Sequence, residues 1–242
     1  EKEKLEAERL GAVGQTVAGL AHSVKNILMG VEGGMYIIGS GIKKDSRETI
    51  SNGWEMLKRN IDKVTILVKD FLSFAKGRRP NVRLMKPRSL IDEIIALYKD
   101  TAGKIKIQLI DTTEADIPEA LLDPDAMHTC LTNLISNAID ACQMSSRTDC
   151  RVLIGVREEN SVIIFEVSDN GCGVEYDIKQ KVFTTFFTTK GGKGTGLGLL
   201  TTRKIIQEHG GKISLESTPG KGSKFKIEMP RNRLPRLEEE AA

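Results

Sequence analysis

Residues 131–141 read LTNLISNAIDA, and this stretch decides the fold together with DNGCG at 169–173 and GTGLG at 194–198. Apolar residues in the first stretch recur at helical spacing. Asn133 and Asn137 are four residues apart, so both amides project from one face of the predicted helix. Amide oxygens are hard ligands that suit Mg²⁺, which proteins usually hold through few side chains plus waters and substrate phosphates. Taken alone, a pair of capping or surface asparagines is the simpler interpretation.

The second stretch follows SVIIFEV at 161–167, which predicts a buried strand that ends in a polar turn. Asp169 therefore lies where a strand stops, well placed to accept a hydrogen bond from an adenine amino group. A simple Asp-Asn-Gly turn explains the stretch equally well on its own.

The third stretch lies within KGGKGTGLGLLTTRKIIQEHG, residues 190–210. Glycines permit close approach of the backbone to phosphates, and a helix beginning near Gly196 offers unpaired amides and a positive dipole end. Lys190 and Lys193 add positive charge. A dinucleotide site of the Rossmann type would need the glycines straight after a strand. Here they follow the polar stretch FTTFFTTKGG, which disfavours that site and leaves a flexible loop as the alternative.

In their order, the three stretches resemble the N, G1 and G2 boxes of the sensor histidine kinases, which share the Bergerat-type ATP-binding fold. FTTFF at 183–187 resembles the F box of that family, and residues 173–194 resemble its mobile ATP lid. The resemblance covers about residues 87–231. It implies that Asn137 holds Mg²⁺, that Asn133 lies beside the phosphates and that Asp169 contacts adenine. It implies that the remaining ATP contacts come from Gly171, Gly173, Thr188, Thr189, Lys190, Gly194, Thr195, Gly196, Leu197, Gly198, Leu199 and Ser223.

Two heptad patterns precede this region, and they predict two long helices. The apolar positions of the first are Leu10, Val13, Val17, Leu20, Val24, Ile27 and Val31, and those of the second are Ile50, Trp54, Leu57, Ile61, Val64, Val68 and Phe71. Residues 40–45 interrupt the pattern, so the helices form an antiparallel hairpin. A hairpin with one apolar stripe buries it by pairing with a second copy as a four-helix bundle. A long coiled linker without chemistry is the alternative.

Three glycines in the first predicted helix are unusual, because each costs about 1 kcal/mol relative to alanine within a helix. They are Gly30, Gly33 and Gly34. We expect them to permit either close helix packing or a local bend.

His22 occupies position f of the heptad and faces away from the apolar seam. Its surroundings, LAHSVKN at 20–26, resemble the H box of the histidine kinases. The resemblance implies that His22 accepts the phosphoryl group and that Asn26 belongs to the site that helps hydrolyse the phosphoryl group of a partner regulator. The family usually has Glu or Asp where this chain has Ser23. A carboxylate there accepts the Nδ1 proton and makes Nε2 a better nucleophile, whereas a serine hydroxyl cannot act as a base near pH 7.

Composition limits the other function classes. The chain has 242 residues, enough for one or two domains, and its net charge of +3 is too balanced to argue for nucleic acid. The four cysteines show no metal-ligand spacing, which favours reduced thiols in the cytoplasm. No apolar run is long enough to span a bilayer, so we expect no membrane contact from this fragment. The opening EKEKLEAERL reads as the end of a longer helix, so a membrane anchor in a preceding region is compatible with the sequence.

These patterns predict an α+β fold in two domains. Residues 1–77 form the helical hairpin that dimerises as a four-helix bundle, and residues 78–87 form a hinge linker. Residues 88–234 form an α/β sandwich that binds ATP, with a mixed, largely antiparallel sheet covered by helices on one face. Residues 235–242 form a disordered tail.

By resemblance, the expected activity is that of a transferase in a two-component signal transduction system. A homodimer would autophosphorylate His22 with ATP and Mg²⁺, and it would then pass the phosphoryl group to an aspartate in the receiver domain of a response regulator. A second hypothesis is an ATP-binding scaffold or switch with a degraded phosphoacceptor box. A third is a serine protein kinase of the same fold that phosphorylates in trans without using His22.

Overall fold

The computed structural model describes residues 2–75, 80–114, 117–183 and 196–235, apart from the side chains of residues 2–20, 22, 23, 66 and 69–75. The chain divides into two compact units, residues 1–76 with 183–200 and residues 77–182 with 201–242. Two N-terminal helices precede a mixed sheet with helices, so the predicted α+β fold is confirmed.

The first unit contains a hairpin of α1, Lys2–Lys43, and α2, Arg47–Ala75. Its turn lies at 44–46, just beyond Gly41, and Ser46 N donates to Gly41 O at 2.9 Å. Ser46 also begins α2, because its hydroxyl accepts a hydrogen bond from Thr49 N at 3.3 Å. Within the described part of the chain, no helix is long and apolar enough to cross a membrane.

Close packing accounts for the glycines of α1. A Cβ on Gly34 would lie 3.0 Å from Leu57 N and 3.1 Å from Gly53 O, so the backbones of the two helices approach closely there. A Cβ on Gly30 would meet the side chain of Asn60, which is buried and donates from Nδ2 to Met56 O at 2.8 Å. Of the two expectations for these glycines, the structure thus supports close helix packing.

The predicted apolar seam of α2 does not face α1 as one stripe. Trp54, Ile61 and Val68 of the seam are about half exposed, at 57%, 51% and 49%, whereas Leu67, which lies outside the predicted seam, is buried. The exposed members form a second apolar face of α2.

The second unit is built on a five-stranded sheet. Its strands are β2 Gln108–Asp111, β4 Arg151–Glu159, β5 Val162–Asp169, β6 Lys212–Thr218 and β7 Gly222–Pro230, and they lie in the order β2-β4-β5-β7-β6. The β2–β4 pair is parallel and the other pairs are antiparallel, which confirms the predicted mixed, largely antiparallel sheet. Asn160 and Ser161 both have positive φ, 51° and 60°, as expected for a tight hairpin turn between β4 and β5.

A separate two-stranded sheet pairs β1, Arg83–Met85, with β3, Ala120–Leu122. Residues 83–85 fall within the segment predicted as the hinge linker. Backbone hydrogen bonds between distant parts of the chain hold them in the second unit, so this part of the segment is not a free connection. The backbone NH of Asn81 is also held, because it donates to Asp123 Oδ2 at 2.8 Å.

Helices α3, Pro87–Lys104, and α4, Pro124–Gln143, pack against the larger sheet. The fully buried side chains between these helices and the sheet are mostly aliphatic, with Phe165 of β5 the largest of them. Among the described residues, the other helices are α5, Tyr176–Lys179, and α6, Gly198–Glu208, followed after β7 by a 3₁₀ helix, Arg231–Arg233. Arg231 anchors that end of the chain, since its guanidinium donates to both carboxylate oxygens of Glu158 at 2.6 and 2.7 Å. The predicted tail beyond residue 235 lies outside the described residues.

The four cysteines are free, as expected for reduced thiols. Cys130, Cys142 and Cys150 are buried, and Cys172 is half-buried. Burial raises the pKa of Cys142 to about 12, so that thiol stays protonated at neutral pH.

Candidate nucleotide-binding site

Helix α4 carries the two asparagines of the first sequence stretch. Asn133 and Asn137 are both half-buried, and Asn133 Nδ2 donates to Thr202 Oγ1 at 3.2 Å. The helix begins at Asp123, whose carboxylate accepts from Ala126 N at 3.0 Å, and Pro124 follows as the first helical residue. The cap therefore fixes the start of the helix, and the contact with Thr202 holds its middle against α6.

Asp169 is the last residue of β5, where it pairs with Val152 of β4 and Ser223 of β7. Gly171 N donates to Asp169 Oδ1 at 2.8 Å, and the backbone NH of Ser223 also donates to this carboxylate. Burial raises the pKa of Asp169 to about 6, and the two backbone hydrogen bonds oppose this effect. At neutral pH the side chain is thus a partly desolvated carboxylate, an acceptor suited to an amino group of a ligand.

The two glycines of DNGCG pack closely against the backbones of neighbouring elements. A Cβ on Gly171 would lie 2.5 Å from the backbone of Ala141 in α4, and Cys172 N donates to Ala141 O at 3.1 Å. Gly173 has φ +68°, and a Cβ there would lie 2.2 Å from Thr218 O. The stretch is therefore more than a surface turn: it brings Asp169 against the end of the helix that carries Asn133 and Asn137.

A pair of serines lies beside Asp169 at the β6–β7 turn. Ser223 is buried, and its hydroxyl oxygen is 3.0 Å from that of Ser217. The Ser217 hydroxyl donates to Gly222 O at 2.9 Å and accepts from Val174 N at 2.8 Å. Gly222 has φ +116°, and a Cβ on it would lie 2.0 Å from Asp169 O.

Sequence reasoning missed Ser217 and Thr202. The two serines face each other across the hairpin at Ser217↔Ser223, and each is three residues from Gly220 in the turn, a signal that could have identified Ser217. No local pattern marks Thr202, which contacts Asn133 only because α6 and α4 meet.

The third stretch is partly described. Residues 184–195, which include Thr188, Thr189, Lys190, Gly194 and Thr195, lie outside the described residues. Gly196 has φ +71°, Leu197 is buried, and α6 begins at Gly198 with Leu199 in its first turn. The helix thus begins two residues after the predicted position.

The predicted phosphoacceptor segment lies on α1. His22 and Ser23 belong to this helix, but their side chains lie outside the described residues. Asn26, one turn further along, is exposed.

Comparison with known proteins identifies the family. Residues 122–233 match the family model described as histidine kinase-, DNA gyrase B-, and HSP90-like ATPase. Sensor histidine kinase ZraS of Escherichia coli strain K12 is 30% identical over 93% of this chain and 47% of its own length. The chain spans less than half of the length of the first curated relatives that it matches.

Solved structures agree with the sequence comparison. The catalytic domain of histidine kinase ThkA is 31% identical, with a TM-score of 0.55 over 62% of this chain and 98% of that domain. Histidine kinase ThkA in complex with response regulator protein TrrA gives a TM-score of 0.73 at 26% identity, over 96% of this chain and 66% of the ThkA chain. The chain belongs to the histidine kinase family and carries its ATPase domain.

Proposed function

We propose that this chain is the kinase region of a two-component histidine kinase, which phosphorylates its own His22 with ATP and then phosphorylates a response regulator. The observation that best supports this proposal is the setting of Asp169. Its half-buried carboxylate accepts hydrogen bonds from two backbone amides at the end of a strand, beside the helix that carries Asn133 and Asn137. The solved complex of the related ThkA with a response regulator supports the choice of partner.

Asp169 is proposed to accept a hydrogen bond from the exocyclic amino group of adenine. An ionised carboxylate is an acceptor only, so it favours adenine, which has an amino group, over guanine, which has a carbonyl oxygen at that position. Gly171, Gly173 and Ser223 would line this end of the site. The segment around the triphosphate would comprise Thr188, Thr189, Lys190, Gly194, Thr195, Gly196, Leu197, Gly198 and Leu199.

The donors present fit Mg²⁺. Asn137 supplies a hard amide oxygen from a helix whose start is capped and whose end packs on Gly171. One protein ligand suffices for this metal, because phosphates and waters complete its octahedral shell. When bound, Mg²⁺ neutralises negative charge on the transferred phosphoryl group. Asn137 would hold it, and Asn133 would lie beside the phosphates.

His22 is the proposed nucleophile. Its Nε2 lone pair attacks the γ-phosphorus, the N–P bond forms, and the bond to the bridging oxygen breaks with its electron pair leaving on ADP. The Nδ1 proton is released to water, because Ser23, the next residue in the sequence, cannot act as a base near pH 7. In the second step Nδ1 takes up a proton from water, a carboxylate oxygen of the regulator attacks the phosphorus, and the N–P bond breaks with its electron pair returning to Nε2. Asn26, exposed one turn along the helix, would assist hydrolysis of the regulator's phosphoryl group.

Residues 1–77 are proposed to form a homodimeric four-helix bundle. Leu28, Tyr36 and Trp54 are exposed at 52%, 80% and 57%, which is a large apolar surface for a hairpin that remains single. The proposed ATP-binding domain comprises residues 88–234, and strand β1 of the preceding segment 78–87 pairs with it. The rest of that segment is the proposed linker, and residues 235–242 are the proposed tail.

Incubation with γ-labelled ATP and Mg²⁺ tests the function. The parent should gain a label that is stable in base and lost in acid, as expected for phosphohistidine. His22→Ala should bind ATP without being labelled, and Asn137→Ala should lose Mg²⁺-dependent labelling while it keeps the parent's dimer and melting temperature. An acid-stable label in His22→Ala would indicate a serine kinase. ATP binding without any label in the parent would indicate a scaffold or switch.

A further inference from the structure

Thr202 is a fully buried residue of α6 whose hydroxyl meets the first asparagine of α4. Asn133 Nδ2 donates to Thr202 Oγ1 at 3.2 Å, although 69 residues separate the two in sequence. The backbone of Thr202 is also in contact with α4, since Cys130 Sγ donates to Thr202 O at 3.9 Å. Two contacts one turn apart on α4 therefore hold this part of α6.

The contact fixes the position of the Asn133 amide beside α6. A side-chain amide has a donor end and an acceptor end on opposite sides of Cγ, and rotation about χ2 exchanges them. In the structure the Thr202 hydroxyl accepts from Nδ2, and the carbonyl oxygen of Asn133 points away from Thr202. An oxygen held in this way can accept hydrogen bonds from the water molecules around a hydrated Mg²⁺. An NH₂ group in its place would turn its hydrogens toward those of the water molecules and could not accept such a bond.

We infer that Thr202 is a positioning residue of the nucleotide site, which orients the Asn133 amide so that its oxygen serves the Mg²⁺–phosphate end. The same contact ties the helix with both asparagines to the helix that follows the glycine stretch 194–198. This inference rests on the proposed function, because it assumes that a magnesium nucleotide binds beside α4.

The adjacent residue provides a matched control. Thr201 is also buried in α6, at 5% exposure, and among the described residues its Oγ1 has no hydrogen-bond partner. Thr201→Val and Thr202→Val therefore make the same chemical change at neighbouring buried positions. Only the second removes an acceptor from Asn133, and Thr202→Ser restores a hydroxyl at that position.

Nucleotide affinity is measured by calorimetry on the full chain, with a non-hydrolysable ATP analogue in Mg²⁺ and in EDTA. Thr202→Val should weaken binding in Mg²⁺ by about three- to tenfold, the effect of losing one hydrogen bond, and should leave binding in EDTA unchanged. Thr202→Ser should recover most of the loss, and Thr201→Val should match the parent. Equal weakening in Mg²⁺ and EDTA would show a merely structural role and overturn the inference, as would failure of Thr202→Ser to recover affinity.

A nucleotide-free readout tests the contact itself. In a chain labelled with ¹⁵N at asparagine side chains, the NH₂ signals of Asn133 are identified by their loss in Asn133→Asp. These signals should shift and exchange faster with solvent in Thr202→Val, and they should stay as in the parent in Thr201→Val. Unchanged signals in Thr202→Val would overturn the positioning role. If the parent binds no adenine nucleotide in Mg²⁺ or in EDTA, the proposed function is wrong. Failure of the proposed function is thus distinguishable from failure of the positioning role of Thr202.

Discussion

Replacing Asp169 by asparagine should stabilise the nucleotide-free protein at neutral pH while it weakens ATP binding. The carboxylate is half-buried at the end of β5, and burial raises its pKa from 3.8 to about 6. At neutral pH the folded protein therefore loses stability by keeping this partly desolvated carboxylate ionised. The asparagine side chain has nearly the same shape and carries no charge, so the substitution removes this loss of stability.

The magnitude follows from linkage between proton binding and folding. Between about pH 4 and pH 6 the unfolded chain has lost the Asp169 proton while the folded chain still binds it, so the free energy of unfolding falls as pH rises. A difference of about two pKa units corresponds to about 3 kcal/mol, reached above about pH 6. An amide cannot accept both backbone hydrogen bonds that the carboxylate accepts, which removes about 1 kcal/mol. We expect a net stabilisation of roughly 2 kcal/mol above about pH 6, and a net destabilisation of roughly 1 kcal/mol near pH 4, where only the lost hydrogen bond remains.

Urea denaturation of the nucleotide-free parent and Asp169→Asn from about pH 4 to pH 8 measures this difference. Glu158→Gln is the control with the opposite sign: hydrogen bonds from Arg231 lower the pKa of Glu158, so neutralising that carboxylate should destabilise the protein at neutral pH. Calorimetry with ATP and GTP should show Asp169→Asn losing most of its affinity for ATP and its preference over GTP. A pH-independent difference between parent and Asp169→Asn would refute the reasoning about burial, and unchanged ATP affinity would make Asp169 a turn residue only.

Three further predictions concern other parts of the chain. Gly34→Ala should destabilise the hairpin by about 1–3 kcal/mol through overpacking against Leu57. Gly39→Ala, with nothing within 4 Å of its Cβ, should stabilise α1 by about 1 kcal/mol, so equal shifts in thermal unfolding would contradict the packing argument. A fragment of residues 80–235 should be more stable to urea than residues 88–235 by about 2 kcal/mol, because only the longer one keeps β1 paired with β3; equal midpoints would argue against that. Ser23→Glu should raise the initial rate of His22 labelling at saturating Mg²⁺ and ATP, where full general-base assistance contributes about 10²–10⁴-fold, and a slower rate than the parent would show that serine fits a different geometry.

Most regular elements were predictable, because their signals are local. Alternation over SVIIFEV and helical spacing over LTNLISNAIDA each reflect one face of one element, and both elements form where expected. Strand β1 and its pairing with β3 were missed because a three-residue strand is too short to show a period and its partner is far away in sequence. A heptad in α2 likewise marks apolar positions but does not say which of them the other helix of the hairpin covers.

The candidate site also combines features that the sequence predicts with features that only the tertiary structure creates. The sequence by itself determined the order of the three stretches and the helical face shared by Asn133 and Asn137, and from them it predicted a site for a magnesium nucleotide. Only the tertiary structure decided that Asp169 is partly desolvated, that Gly171 packs on α4, and that Thr202 and Ser217 contact the site. The physical reason is the sequence distance between the atoms that determine each property. The direction of a side chain follows from the backbone period within one element, whereas burial, pKa and amide orientation depend on atoms that folding brings in from distant segments.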